Sequence, residues 1–182
     1  MTKKEILKEI LSTSLYLLGV LIVTFLLVKF VVQRTEILSG SMEPTLVKGE
    51  SYLVDKISYR FKDPERFDIV TFKYKYKEKT YYVKRVIGMP GETVFIDEYG
   101  TIFINDKPLI EEGFDFPTIE NAGLAATPIK LGDDEYFVMG DNRNDSQDSR
   151  YPDVGAVKRE QILGKLWLQI WPLNRIRFMG DK

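Results

Sequence analysis

The stretch from Ile10 to Val32 holds 23 residues and a single charge, Lys29. No other feature restricts the fold so strongly, because a run this long and this apolar has few environments open to it. As a helix it would measure about 34 Å at ~1.5 Å per residue, against a hydrocarbon core of ~30 Å. Lys29 lies near the far end, where its amine can snorkel to an interface. Lys3, Lys4 and Lys8 precede the run, and Arg34 is the one arginine close behind it. That bias predicts a single transmembrane anchor over residues 10–32, with residues 1–9 in the cytoplasm and residues 33–182 on the far side. Two plainer readings compete. A cleaved signal peptide has a shorter apolar region and a small-residue cleavage site after it, and Gln33-Arg34-Thr35-Glu36 offers none. A core helix keeps a polar face, and Leu15–Val28 has almost none.

Residues 33–182 show no repeat, linker or low-complexity tract and read as one folded unit. Aromatics make up 13% of the chain, and 13 Gly and 8 Pro punctuate short strand-like runs. That pattern predicts a mainly β, antiparallel domain. Ile69–Tyr76 alternates Val70, Phe72, Tyr74 and Tyr76 with Thr71, Lys73 and Lys75, so one face is expected to be core and the other solvent. After a turn at Lys77–Thr80, Tyr81–Ile87 is expected to return as its hairpin partner. Further strands are expected at Ser51–Ile57, Thr93–Ile96, Thr101–Ile104, Glu135–Met139 and Ile162–Ile170. Glu111–Pro128 is weakly patterned and is expected to be a surface excursion. Trp167 is expected in the core; Trp171 could pack or seat at a membrane interface.

Composition excludes several chemistries. The formal net charge of -1 argues against nucleic acid as a partner. With no cysteine there is no disulfide and no thiol nucleophile, and with no histidine either, a zinc site has no preferred ligands. Carboxylates alone could still bind Mg or Ca, but no tight cluster with a calcium-loop pattern is present, and no cofactor is expected.

Ser41 lies in Ser39-Gly40-Ser41-Met42-Glu43-Pro44-Thr45-Leu46, a Gly- and Pro-bounded stretch just past the apolar run. A serine in such a turn is a candidate nucleophile, but no imidazole is available to activate it. Lysine is the alternative base. Free lysine, at ~10.4, is protonated near neutrality. Burial among apolar groups disfavours its charged form. Lys84 lies between Tyr82, Val83, Val86 and Ile87, an apolar neighbourhood unlike that of Lys73 or Lys75. Taken singly, Ser41 reads as a turn serine or helix cap, and Lys84 as a solvated strand lysine.

Four segments together reverse that reading: Ser39–Leu46, Arg66–Phe72, Tyr82–Glu92 and Gly140–Arg150. In this order behind an N-terminal span they resemble type I signal peptidases, the membrane-bound Ser-Lys endopeptidases, and most of all the Gram-positive members. The resemblance implies Ser41 as nucleophile and Lys84 as general base. It implies an oxyanion site made of the Ser41 N–H and the Ser39 hydroxyl, and a hydrogen bond from Ser146 that holds the lysine. Arg85, Asp141, Asp148 and Arg150 match charges that brace the site as ion pairs. Since an unpaired carboxylate would restore the ammonium form of Lys84, these aspartates are expected to be occupied by arginines. Arg85 should point to the sheet face opposite Lys84. Two positions depart from the family's usual pattern: Phe67 stands where glycine is common, and Asn144-Asp145 where Asp-Asn also occurs.

The implied substrates are preproteins whose signal peptides end in small residues. Ile37 and Val83 match pocket positions for such residues and equally suit ordinary β-core. The substrate is expected to add as an extended strand. The implied partners are those preproteins and the phospholipid membrane, with the chain working as a monomer. A Ser-Lys self-cleaving repressor shares the chemistry but should carry a DNA-binding module where this chain has an apolar run. A tethered, non-catalytic β domain would have no reason to keep Ser41, Lys84 and Ser146 together.

Overall fold

A computed structural model describes residues 2–77 and 80–179. The apolar run lies within one helix, α1 (Lys3–Phe30). The helix starts earlier than the run because Thr2 and Glu5 form a reciprocal cap: the Thr2 N–H donates to Glu5 Oε2 at 2.7 Å, and the Glu5 N–H to Thr2 Oγ1. It stops at Phe30, short of Val32. None of its residues is buried, and its most apolar window has a mean hydropathy of 2.3. The core-helix alternative therefore fails, and α1 fits a transmembrane segment.

A strand not expected from the sequence follows at once: β1 (Val32–Glu36), antiparallel to β2 (Ser51–Asp55). Its own residues, Val-Gln-Arg-Thr-Glu, lack a core stripe, and it is pairing with β2 that makes it a strand. The hairpin partners are β3 (Ile69–Lys73) and β4 (Tyr81–Gly88), in the register Val70↔Lys84. β3 is shorter than the alternation suggested, and Thr71 is fully buried rather than solvated. Both faces of β3 are covered, so only Lys73 at its end meets water. The expected turn partly covers residues 78 and 79, outside the described residues.

β5 (Thr93–Ile96) and β6 (Ile102–Ile104) form the second hairpin. A left-handed turn at Asn105 and Asp106 leads to β7 (Lys107–Pro108), and β8 (Ile129–Lys130) completes a four-stranded sheet in the order β7-β6-β5-β8. The larger sheet adds β9 (Glu135–Met139), β10 (Val157–Lys158) and β11 (Ile162–Trp171), in the order β1-β2-β11-β3-β4-β9-β10. β12 (Arg177–Phe178) pairs with β11 off this path. The domain is thus mainly antiparallel β, as expected.

One expectation needs correction. Trp167 is 43% exposed and packs on Phe178, not in the core. Leu166 takes the inward position, and a bulge between Leu166 and Leu168 resets the strand beyond it. The 111–128 segment is a surface excursion, as expected, with two residues anchored inward. Ile119 and Ala125 enter the core between the two sheets, and Glu111 takes the buried Arg143 in two bonds of 3.0 and 2.5 Å. The ring of Phe114 lies 4.5 Å from the Arg85 guanidinium. Its anchors are scattered single residues, which no periodicity reports.

Candidate active site

Ser41 begins a short turn held by the Leu46 N–H donating to the Met42 carbonyl at 2.9 Å. Met42 and Leu46 are buried beneath it in one core cluster with Ile37, which fixes the turn to the sheet. Gly140, Asp141 and Asn142, just past β9, run against the same turn. The Asn142 N–H donates to the Ser41 carbonyl at 3.2 Å, and its Nδ2 to the Gly40 carbonyl at 3.1 Å. This approach needs a glycine: a Cβ at position 140 would stand 2.3 Å from the Ser41 carbonyl oxygen and 2.2 Å from Ser146 Oγ.

Lys84 projects from β4 and is 4% exposed. Its Nζ donates to Ser41 Oγ at 2.7 Å and to the Val83 carbonyl at 3.1 Å. Burial pulls its pKa from 10.5 down to about 8, partly offset by the charges of Asp148 and Asp141, which favour the ammonium. Both carboxylates are taken up by arginines. Arg85 Nε and Nη2 clasp Asp141 at 2.8 and 2.6 Å, and Arg150 Nε and Nη2 clasp Asp148 at 2.9 and 2.8 Å. All four side chains are buried. Two-pronged pairing of this kind holds the carboxylates as fixed acceptors and damps the field that would re-protonate the lysine. Arg85 and Lys84 face opposite ways, each lining a separate cavity.

The Ser39 hydroxyl lies 3.3 Å from Ser41 Oγ, within reach of the same reacting atom. Among the described residues, the Ser41 N–H donates to no protein acceptor, so it is free to face a substrate oxygen. Ser146 behaves differently from expectation. Its Oγ is buried with no hydrogen-bond partner, and no bond to Lys84 forms. The Lys84 amine is already engaged by Ser41 and Val83, while the Ser146 hydroxyl is packed over Gly140.

A cleft of about 420 Å³ opens over this pair, walled by residues 35–42 on one side and 80–84 on the other. Ile37 and Val83 both line it, and both also serve the core: Ile37 is buried, and Val83 packs against that cluster. Among the described residues no strand covers the outer edge of β4 over Tyr81–Lys84, since β9 pairs only through Arg85, Val86 and Gly88. The close pairs Asp68–Val86 and Tyr74–Thr80 set the alternation with β3. It leaves the N–H and C=O groups of Tyr81 and Val83 directed to that open edge. No group of three or more His, Cys, Asp or Glu suited to a metal exists among the described residues.

Sequence reasoning missed Gly140 and Asn142 as parts of the site. Their signal was present in the Gly140–Arg150 segment, but only the fold brings that segment against Gly40 and Ser41.

The chain is similar to known proteins along most of its length. Residues 8–171 match the family described as signal peptidase, peptidase S26. A probable signal peptidase I-2 of Synechocystis is 40% identical over 157 residues, covering 84% of this chain and 69% of that one. Signal peptidase I P of Bacillus subtilis subsp. natto is 38% identical, covering 86% of each. Signal peptidase IB of Staphylococcus aureus is 32% identical, covering 97% of this chain and 95% of that one. The chain belongs to the signal peptidases of the peptidase S26 family, which are serine endopeptidases.

Proposed function

We propose that this protein is a membrane-bound signal peptidase that removes N-terminal signal peptides from exported proteins, cutting after small residues by a Ser-Lys dyad. The observation that carries the reading is the 2.7 Å contact between Lys84 Nζ and Ser41 Oγ, with the amine buried. In the neutral amine form, Lys84 takes the Ser41 hydroxyl proton as Oγ attacks the scissile carbonyl. The Ser41 N–H and Ser39 hydroxyl meet the developing oxyanion. Lys84 then passes its proton to the leaving amine, and an ester forms on Ser41. Water, deprotonated by the same amine, frees the acid.

Once protonated, Lys84 has a third N–H to place, and the resemblance to the family gives the hydroxyl of Ser146 as its acceptor. The preprotein enters extended along the open edge of β4, with Tyr81 and Val83 bonding its backbone. Ile37 and Val83 leave room for small side chains before the cut. The N-terminus lies in the cytoplasm and the catalytic domain beyond the membrane, acting as a monomer.

Ser41→Ala and Lys84→Ala are each expected to abolish cleavage of an exported precursor by the reconstituted full chain, with unchanged circular dichroism. Normal processing by either variant removes the mechanism.

A further inference from the structure

Where α1 meets the domain, a short 3-10 turn, Ser58–Arg60, stands beside the last turn of the helix. The segment Lys56–Arg60 is tied to the helix by three contacts, one of them from the turn itself. The Lys56 N–H donates to the Val31 carbonyl at 2.9 Å, Lys56 Nζ to the Lys29 carbonyl at 2.6 Å, and the Arg60 guanidinium lies 5.7 Å from the Phe30 ring. The turn is rigid from behind, because Tyr59 is buried and its hydroxyl donates to Asp68 Oδ2 at 2.7 Å. Ahead of it, Phe61 points outward at 86% exposure, the highest of any large hydrophobic side chain among the described residues.

Arg60 precedes that phenylalanine, and Lys62, paired with Glu65 at 3.6 Å, follows it. Among the described residues neither Lys56 nor Arg60 has a carboxylate partner, and the nearby Asp55 is engaged by Ser58 and the Ile57 N–H. Burial and the charge of Arg60 both push the Lys56 pKa down, as expected where like charges lack an anion between them. An exposed aromatic ring next to Arg60, with Lys56 and Arg60 at the end of an apolar helix and without a carboxylate among the described residues, matches the boundary between acyl chains and phosphates.

We propose that this turn is a second membrane contact, in which Phe61 seats at the bilayer interface and Lys56 and Arg60 hold phosphate groups of anionic phospholipid. The contact rests on α1 spanning the bilayer, and it goes further by fixing the domain's tilt, which a single spanning helix leaves open.

The full chain has no cysteine, so one introduced thiol carries a spin label at one place. Labels at Phe61→Cys, Leu21→Cys and Tyr99→Cys are compared in vesicles for access to oxygen and to a water-soluble nickel chelate. Tyr99, 76% exposed on the hairpin of the second sheet, reports water. The expected result in phosphatidylglycerol-containing vesicles is several-fold lower nickel access at 61 than at 99. That protection should shrink in pure phosphatidylcholine and in the Lys56→Gln/Arg60→Gln background. Equal nickel access at 61 and 99, with position 21 in oil, overturns the contact while leaving the anchor intact. Protection at 61 that ignores lipid charge, or that scales with protein density as a contact between chains would, overturns it as well. Water access at position 21 overturns the anchor itself and the contact with it.

Discussion

Lys84 holds a position that costs stability and, on the proposed mechanism, serves chemistry. Its pKa lies at about 8 in the fold against 10.5 ordinarily. Between those values the unfolded chain binds more protons at this residue than the folded one, so stability rises with pH across that window. The penalty is complete below pH 8, at about 3 kcal/mol. Lys84→Met is therefore expected to be inactive yet more stable than the parent near pH 7 by up to about 3 kcal/mol. The advantage should fade by pH 10.5, as urea midpoints at the two pH values would report. The same titration predicts that cleavage climbs as pH rises through about 8, since only the neutral amine accepts the Ser41 proton. A flat rate from pH 6 to 9 would exclude lysine as the base. Asn142 is the other residue with separable effects. Asn142→Ala deletes one neutral hydrogen bond, worth ~1 kcal/mol of stability. By loosening the Gly40–Ser41 carbonyls it should lower kcat by up to ~10²-fold. KM should hardly move, which steady-state kinetics on a peptide substrate would reveal.

At the level of strands and turns, the entry to β3 is the unusual element. Phe67 has φ of 71°, a left-handed backbone that bulky residues avoid. Its carbonyl accepts from Arg85 Nη1 at 2.9 Å, and its ring packs on Phe114, so the contacts outweigh the strain. Both Phe67→Ala and Phe67→Gly lose the ring, but only glycine also sheds the strain. Phe67→Gly is expected to be more stable than Phe67→Ala by ~1 kcal/mol in thermal or denaturant unfolding, the reverse of the usual order.

Most strands were legible from β-branched and aromatic alternation, and the helix from unbroken apolarity. β1 was not, because pairing with β2 outweighs its weak local pattern. The packing of residues 111–128 and the outward turn of Trp167 were not either. These depend on which distant arginine, core cavity or bulge lies opposite. Among the site residues, the Ser41–Lys84 contact and the arginine-clasped aspartates were foreseen from motif order. The unpartnered hydroxyl of Ser146 was not, because it follows from how closely Gly140 lets two segments approach.

Over the whole molecule, an apolar helix with none of its described residues buried is joined directly to the sheet whose first strand leads into the Ser41 turn. β1 starts two residues after α1 ends, and the cleft wall begins at Thr35. With α1 spanning the bilayer as proposed, so short a connection would confine the cleft to a thin layer above the lipid. For precursors held in the same bilayer, confinement acts as a high effective concentration. Removing residues 1–30 is expected to leave cleavage of a short soluble peptide unchanged and to slow cleavage of a vesicle-bound precursor by ~10²-fold or more. Parallel assays of the two substrates would separate these outcomes.

The uncovered margin of β4 beside Lys84 carries a consequence in time. Only a polypeptide stretched straight can complete a sheet there; a helix or a finished globule cannot. On the proposed entry along that edge, the scissile region must still be unfolded when it arrives, so cutting would compete with the newcomer's own collapse. A precursor that folds quickly around its junction would escape maturation, however well its sequence suits the cleft.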